Sequence, residues 1–428
     1  MKPLLIKNGR VVDPASKLDA RRDILVEDGR LAAVEAKIDR AGAEVFDAAN
    51  LVVAPGFIDM HVHLREPGKE SAETIQSGAR AAAAGGFTAV ACMPNTQPAN
   101  DTALVTRYIL AQAAQAGGAR VYPIGAVTKN LAGEELAELE SLRAAGAVAF
   151  SDDGHPVWNS RILRRALEYA AALNLAVIDH CEDPQLAAGG VMHEGDCALR
   201  LGLRGIPALA EELPVTRNVV MAALAGGHIH LAHLSTRGAL EVVRRAKRAG
   251  VRVTCEVTPH HFTLTDEACR EYDTRAKMNP PLRTADDVTA LVEGLADGTV
   301  DAIASDHAPH TPTEKQADFE SAPFGVIGLE TAVALALDKL FHAGKITLPR
   351  LVELFSANPA RILGVEGGQL KVGAPADLTV LDLERKWTYR ADEGVSKSRN
   401  SPFDGWSFRG AAAATIVAGT LVFCARKI

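Results

Sequence analysis

Short runs rich in β-branched residues alternate with longer alanine-rich runs through residues 56–364. Such alternation is typical of βαβ units, in which crossover helices join parallel strands. Strands are predicted over residues 57–64, 87–94, 120–127, 148–151, 175–179, 228–234, 251–257 and 301–305. Helices are predicted between them, including 72–84, 103–116, 161–173, 236–249 and 285–296. The alternation therefore predicts an α/β fold with a closed (β/α)₈ TIM barrel rather than an open doubly wound sheet.

The two ends of the chain have a different texture. Residues 1–55 and 365–428 contain short strand-like runs separated by tight turns, such as Asn8-Gly9 and Asp28-Gly29. Each end is too small to make a complete sandwich alone. We therefore predict a small composite β-sandwich domain formed by the N- and C-terminal segments 1–55 and 365–428, beside a barrel over residues 56–364.

Composition and charge exclude several classes of partner. The formal net charge of −7 gives no basic surface for nucleic acid. The longest apolar run, 411–423, is too short to span a bilayer, and the first ten residues contain no signal-peptide core. The six cysteines are scattered without a C-x-x-C pair, which is typical of a reducing compartment. A cytoplasmic protein with no nucleic-acid or membrane partner is expected.

Histidine and aspartate side chains follow five of the eight predicted strands. His61 and His63 share one face of the first strand, because side chains alternate along a strand. The other positions are Asp152 and Asp153 after the fourth strand, His180 after the fifth, His233 after the sixth and Asp306 after the eighth. One such histidine is usually a packed or surface residue, but five such ends at the mouth of one barrel indicate a metal site. Imidazoles with carboxylates suit zinc, manganese or cobalt.

Several longer motifs resemble bacterial dihydroorotases of the amidohydrolase superfamily. They are His61-Val62-His63-Leu64-Arg65, Met278-Asn279-Pro280-Pro281-Leu282-Arg283, Asp306-His307-Ala308-Pro309-His310, Pro323-Phe324-Gly325-Val326-Ile327-Gly328-Leu329-Glu330, Ser356-Ala357-Asn358-Pro359-Ala360 and Gly373-Ala374-Pro375-Ala376-Asp377-Leu378. The resemblance runs nearly end to end. It implies reversible, zinc-dependent cyclisation of N-carbamoyl-L-aspartate to L-dihydroorotate in de novo pyrimidine (UMP) biosynthesis.

The resemblance also implies the metal ligands. His61, His63 and Asp306 are expected to hold a first metal, and His180 and His233 a second. Many superfamily members bridge the two metals with a carboxylated lysine on the fourth strand. This chain has aspartates there instead, which matches a subgroup in which an aspartate takes the bridging place.

In this chain Asp153 would be that bridge, and one or two zinc ions are expected per subunit. A metal-activated hydroxide is the implied nucleophile. Asp306 is the implied general acid/base, because it would lie within reach of both the water and the leaving nitrogen.

A carboxylate-bearing substrate needs cationic and amide donors. Arg65, two residues past His63 on the same predicted strand face, has a planar fork suited to a carboxylate. By the resemblance the substrate contacts are His63, Arg65, Asn95, Asn279, His310 and the backbone at Phe324 and Gly325. Taken singly, Arg65 would be a surface ion pair and Asn95 a turn residue.

Other histidines receive weaker assignments. His228 and His230 are expected in the core or at the bottom face of the barrel. His260 and His261 follow the seventh predicted strand, and the sequence leaves open whether they border the site. Surface positions are expected for His155, His193 and His342. The polar stretch 311–323 is either a lid over the site or a solvated loop.

Two other functions compete with the implied one. Allantoinase or hydantoinase activity is disfavoured by Asp153, since those enzymes resemble the lysine-bridged pattern. An inactive scaffold paralogue of aspartate transcarbamoylase is disfavoured because the whole ligand set is present. A homodimer and an active complex with aspartate transcarbamoylase are expectations that the sequence leaves open.

Overall fold

The computed structural model describes residues 2–425, in which strands and helices alternate through the middle of the chain. The strands are β1 (Leu4–Asp13), β2 (Leu18–Glu27), β3 (Arg30–Glu35), β4 (Glu44–Asp47), β5 (Val52–Pro55), β6 (Phe57–Val62), β7 (Phe87–Cys92), β8 (Arg120–Pro123), β9 (Gly125–Ala126), β10 (Phe150–Ser151), β11 (Ala176–Asp179), β12 (Met192–His193), β13 (Gly205–Ile206), β14 (His228–Leu231), β15 (Val253–Val257), β16 (Ala302–Ile303), β17 (Leu378–Thr388), β18 (Ser407–Val417) and β19 (Thr420–Cys424). The α-helices are α1 (Ile75–Gly85), α2 (Ala103–Ala113), α3 (Leu139–Ala145), α4 (Ser160–Ala172), α5 (Asp196–Leu201), α6 (Leu209–Ala225), α7 (Arg237–Arg248), α8 (Ala285–Asp297), α9 (Pro312–Lys315), α10 (Ala332–Leu335), α11 (Leu348–Phe355) and α12 (Ala357–Leu363).

The middle strands close into a parallel barrel. They pair in the order β6–β7–β8 and then β9–β10–β11–β14–β15–β16, with β8 and β9 separated only by Ile124. The first and last strands meet where Val62 bridges His307, and the N–H of His63 donates to the carbonyl of His307 at 2.8 Å. The predicted barrel is confirmed.

The two ends of the chain join in one sheet. Its order is β19–β18–β17–β5–β1–β2–β3, with β4 also paired to β1. Strand β17 runs antiparallel to β5, and apolar side chains such as Ile24, Val53 and Ile416 are fully buried in this sheet's core. We propose that residues 1–55 and 365–428 form the composite β domain and residues 56–364 the barrel. Residues 1 and 426–428 of that assignment lie outside the described residues.

Local sequence explains where the outer helices begin and end. Helices α1 and α8 both begin at capping boxes, made by Thr74 with Ser77 and by Thr284 with Asp287. Helix α1 ends at Gly86, whose φ of 99° is a left-handed conformation that glycine adopts without steric cost. Among residues 2–425 no helix combines the length and the apolar character needed to cross a bilayer.

Helix α6, the longest in the described part of the chain, is absent from the predicted helices. It contains Pro214, and apolar residues lie on both of its faces. Val215 is buried on one side, whereas Leu213 and Leu224 are 51% and 65% exposed on the other. Because the apolar pattern is not confined to one face, its helical periodicity is weak.

The predicted strands extend too far at their carboxyl ends. Arg65, His233 and Asp306 were expected at or just beyond those ends, but their φ angles are 61°, 33° and 46°. A positive φ is incompatible with an extended strand. Arg65 therefore does not share a strand face with His63. The chain turns at these residues, and such strained conformations concentrate at functional sites.

Candidate metal centre

The six predicted metal ligands lie together and buried at the mouth of the barrel. Two groups have ligand atoms within 4.8 Å of one another: His61, His63 and Asp306 in one, and His61, Asp153 and His233 in the other. His180 lies beside the second group, with its Nδ1 3.0 Å from Nε2 of His233.

The two histidines of the first strand both turn Nε2 toward the centre. Nδ1 of His61 lies 2.7 Å from Oε1 of Glu256, and Nδ1 of His63 lies 2.8 Å from Oδ1 of Asn95. Because both oxygens accept, Nδ1 of each ring donates to them, and Nε2 of each ring faces the carboxylates of the centre.

The carboxylate of Asp153 divides its oxygens between the two histidine pairs. Oδ2 lies 3.3 Å from Nε2 of His61 and 3.4 Å from Nε2 of His63. Oδ1 lies 3.3 Å from Nε2 of His233 and 3.7 Å from Nδ1 of His180. A carboxylate in this position can contact two cations at once. Its neighbour Asp152 instead accepts hydrogen bonds from the backbone of residues 127 and 128, away from the centre.

The charges at the centre act strongly on one another. Burial opposes ionisation of His61, but the carboxylates of Asp153 and Glu256 hold its pKa well above the usual value. Burial works against ionised Asp306 as well, yet its hydrogen bond to His63 and the charge of His61 hold the pKa of that carboxyl below its usual range. Asp306 Oδ1 lies 3.1 Å from Nε2 of His63. Asp306 is therefore ionised at neutral pH.

These donors fit a divalent cation. Within the described residues, Nε2 of His61 is among the buried ring nitrogens without a hydrogen-bonding partner, and it lies 3.3 Å from Asp153 and 3.7 Å from Asp306. Buried polar atoms are normally paired, so an unpaired ring nitrogen facing two carboxylates is a natural ligand position. Imidazole nitrogens with carboxylate oxygens form the donor set that zinc accepts.

The predicted substrate contacts surround this centre but already bind protein groups. Arg65 Nε donates to the carbonyl of Pro309 at 3.1 Å, and His310 Nε2 donates to the carbonyl of Phe324 at 2.7 Å. Burial and the charge of Arg65 lower the pKa of His310 to about 3, so its ring is neutral. The Arg65 guanidinium also lies 3.5 Å from Nε2 of His310.

Asn279 lies on the opposite side, near the second histidine pair. Its Nδ2 donates to Glu182 at 2.7 Å and lies 3.4 Å from Nε2 of His180. The N–H of Gly325 donates to the carbonyl of Lys277 at 2.9 Å. The backbone at Gly325 is thus held by the protein on its N–H side.

Sequence reasoning missed Glu256 and left His260 open. Glu256 is completely buried on β15, and burial works against its ionisation, yet the charge of His61 brings its pKa to about 2. Polar residues at 254, 256 and 258 alternate within this buried strand, and that was the available signal. His260 is buried, and the charges acting on it come from Asp306, His233 and His61, so it borders the site.

Two of the three histidines expected at the surface are not there. His193 is 7% exposed, with Nδ1 accepting from Arg283 at 3.1 Å, because β12 packs under the loop that carries that arginine. His342 is half-buried against the carbonyl of Leu383, whereas His155 is exposed as expected.

The stretch 311–323 is anchored on both sides. Lys315 Nζ donates to the carbonyls of Thr274 and Pro323, and Lys277 Nζ donates to the carbonyl of Phe319. Phe319 itself is buried in an apolar cluster. These contacts tie the stretch to the segments that carry Thr274 and Lys277.

The family model and two relatives that match this sequence are all described as dihydroorotases or dihydroorotase-like. A family model described as Dihydro-orotase-like matches residues 50–239. A dihydroorotase from Solibacter usitatus is 54% identical over 419 residues, which cover 98% of this chain and 97% of that protein. A dihydroorotase from Syntrophotalea carbinolica is 54% identical over 420 residues, covering 98% of this chain and 99% of that protein.

Solved structures with the same fold include hydantoinases and dihydropyrimidinases. The L-hydantoinase (dihydropyrimidinase) from Arthrobacter aurescens matches with a TM-score of 0.89 at 28% identity, covering 100% of this chain and 97% of that chain. The dihydropyrimidinase from Brevibacillus agri matches with a TM-score of 0.84 at 23% identity, covering 98% and 94%, a level that shows the fold alone.

Proposed function

The chain belongs to the dihydroorotase family of cyclic amide hydrolases, and on that premise we propose that zinc, held by its buried histidines and aspartates, supports the reaction. The activity of the family is the reversible cyclisation of N-carbamoyl-L-aspartate to L-dihydroorotate. The single observation that carries the zinc proposal is the carboxylate of Asp153, whose two oxygens face two different histidine pairs.

The proposed ligands are His61, His63, Asp153, His180, His233 and Asp306. A divalent cation in this position supplies Lewis-acid activation of water and of the substrate carbonyl. The two oxygens of Asp153 face two histidine pairs, which favours two cations. The two groups of close ligand atoms share His61, which favours one cation. One or two zinc ions per subunit therefore fit these side chains.

Asp306 is the proposed general acid/base. Its carboxylate is ionised, so it can accept a proton from the attacking water and return that proton to the ring nitrogen that leaves. In the cyclisation direction the same carboxylate takes the proton from the ureido nitrogen and gives it to the hydroxyl group that leaves as water. Asp306 lies only 7% exposed, which shields this transfer from bulk water.

The substrate carboxylate is proposed to bind Arg65, Asn95 and His310. Arg65 keeps its outer guanidinium nitrogens available because Nε holds Pro309. Asn95 gives its oxygen to His63, so its Nδ2 is the group left to donate. The ring is proposed to contact His63, Asn279 and the backbone at Phe324 and Gly325.

Turnover assays test this proposal. Metal-free protein, prepared by chelation, is assayed with dihydroorotate, allantoin and hydantoin before and after zinc is restored. We expect zinc-dependent turnover of dihydroorotate, and a kcat/KM for allantoin and hydantoin that is at least tenfold lower. A site with a fixed partner for the substrate carboxylate discriminates against ligands that lack this group, by about 10²-fold or more. Turnover of allantoin or hydantoin without dihydroorotate would overturn the substrate assignment, and no turnover after zinc would support the inactive scaffold.

A homodimer is proposed to form through α6. Four apolar side chains lie on one face of this helix and are 51–65% exposed: Leu209, Leu213, Val220 and Leu224. Exposed apolar stripes of this kind mark interaction sites, and two copies of one helix can pack about a two-fold axis. Aspartate transcarbamoylase is the second proposed partner, and sedimentation velocity of this protein mixed with that enzyme tests for a complex.

The proposed location is cytoplasmic. The cysteines of the described residues form no disulfide, and five of them are buried. Buried thiols in a chain of this size support a reducing compartment.

A further inference from the structure

We propose that Asn400 is a positioning residue for substrate binding, because it sets the spacing between the loop that carries His310 and the loop that carries Phe324 and Gly325. Asn400 belongs to the segment that joins β17 to β18, and so comes from the terminal β region rather than from the barrel. This inference rests on the substrate contacts proposed above.

The side-chain amide of Asn400 joins the two loops directly. Nδ2 donates to the carbonyl of Ala308 at 3.0 Å and to the carbonyl of Gly325 at 3.1 Å. Oδ1 accepts from the N–H of His310 at 3.2 Å. One amide therefore uses both of its hydrogens and its oxygen on the backbone of the two loops, and the residue is only 4% exposed.

The two loops also meet each other at this point. The N–H of Ala308 donates to the carbonyl of Val326, and the N–H of Ile327 donates to the carbonyl of Asn400 itself. Removing the amide would leave two buried carbonyls and the part-buried N–H of His310 without their partners. The loops could then recover those hydrogen bonds only by moving, and His310 would move with them.

The space at Gly325 leaves little tolerance for such movement. Gly325 has a φ of 134°, and a Cβ placed there would lie 2.8 Å from Cβ of Ala308 and 3.0 Å from Nε2 of His310. The loop that carries His310 and the loop that carries Gly325 are therefore so close that only glycine fits at position 325. Asn400 holds them at this separation through its hydrogen bonds to the backbone of both loops.

The segment that presents Asn400 is itself fixed to the barrel. The Ser396 hydroxyl and the N–H of Lys397 donate to Glu73, a carboxylate that is completely buried beside His307. The Ser398 hydroxyl donates to the carbonyl of Ala72 at 2.7 Å. Because several contacts fix this segment, the position of Asn400 is imposed on the substrate loops and does not follow them.

Steady-state kinetics of the zinc-loaded full chain test the inference. We expect Asn400→Ala to raise KM for dihydroorotate between about tenfold and about a hundredfold, since a displacement of 1 Å in a positioning group can cost about 10²-fold. Zinc affinity, measured by chelator competition, should stay within twofold of the wild type. Asn400→Asp keeps the acceptor for His310 but removes both N–H donors and sets a buried carboxylate oxygen against the carbonyls of Ala308 and Gly325, so we expect a rise in KM at least as large.

Asn358→Ala is the matched control. Asn358 is half-buried, and its Nδ2 donates to the carbonyl of Asp301 at 2.8 Å, at the amino end of β16 and away from the substrate loops. Its KM should equal that of the wild type.

A wild-type KM in Asn400→Ala, or in Asn400→Asp if the alanine variant does not fold, would overturn the inference. So would an equal rise in KM in Asn358→Ala. Failure of the proposed function would look different, because the wild type itself would then not turn over dihydroorotate.

Discussion

Nδ1 of His61 lies 2.7 Å from Oε1 of Glu256, and both side chains are completely buried inside the barrel. The other oxygen of Glu256 lies 3.3 Å from Nε2 of His230, whose Nδ1 is 2.8 Å from the hydroxyl of Thr254. The contact between Nδ1 of His61 and Oε1 fixes the carboxylate behind the imidazole. Glu256 thus holds His61 with Nε2 toward Asp153, in the orientation that a metal ligand requires.

Replacing Glu256 should weaken zinc binding. We expect a loss of about tenfold in affinity for Glu256→Gln and about a hundredfold for Glu256→Leu, which removes the acceptor entirely. Competition with a fluorescent chelator measures the affinity. Asp301→Asn is the control, because Asp301 is a buried carboxylate that accepts from the N–H of Cys255 on the same strand, β15, as Glu256. Unchanged zinc affinity in folded Glu256→Leu would show that Glu256 only fills space.

Replacing Asp306 by asparagine should separate metal binding from proton transfer. Asparagine keeps the size and one oxygen but cannot accept the proton, so we expect kcat to fall about 10²- to 10⁴-fold. Metal analysis of the purified variant should still find zinc, since His61, His63 and Asp153 remain. A rate within threefold of the wild type would remove Asp306 from its acid/base role.

The barrel-mouth position of the metal centre could be predicted because it depends on topology. Parallel strands of a closed barrel bring their carboxyl ends to one rim, so His61, Asp153, His233 and Asp306 had to approach one another once the strands were recognised. The shared direction of His61 and His63 could also be predicted, because it depends only on their spacing of two residues along a strand.

The supporting residues could not be predicted, because their role depends on contacts between distant parts of the chain. Glu256 is 195 residues from His61 along the sequence, and Asn400 is 90 residues from His310. Neither stands in a recognisable motif. Helix α6 was missed for a different reason, since its exposed apolar face hides the helical period.

Charges on the exposed face of α6 should abolish the dimer. The double variant Leu213→Lys, Leu224→Lys places two like charges in the proposed interface, where they repel their copies across the two-fold axis. Sedimentation velocity should show a dimer for the wild type and a monomer for the variant, with unchanged turnover. Leu104→Lys, at a 76% exposed position on α2, is the control and should remain dimeric. A monomeric wild type, or a dimeric variant, would contradict the proposed interface.

Acid should destabilise the protein partly through His193. Burial and the charge of Arg283 lower the pKa of this histidine from 6.5 to about 4. Between these values the unfolded chain binds the proton more readily, so stability falls as the pH drops from 6.5 toward 4. The thermal midpoint of His193→Asn should fall less steeply over this range and run parallel to the wild type above pH 6.5. His155→Asn, at an exposed position, should reproduce the wild-type slope. Identical slopes in all three proteins would contradict the assignment.

The most direct measurement is a crystal structure of the zinc-loaded protein with anomalous data collected at the zinc absorption edge. The account predicts an anomalous peak within about 2.0–2.2 Å of Nε2 of His61, Nε2 of His63 and a carboxylate oxygen of Asp153 or Asp306. At full zinc loading, a second peak is expected beside His180 and His233. A zinc ion bound elsewhere, with none at His61 and His63, would contradict it.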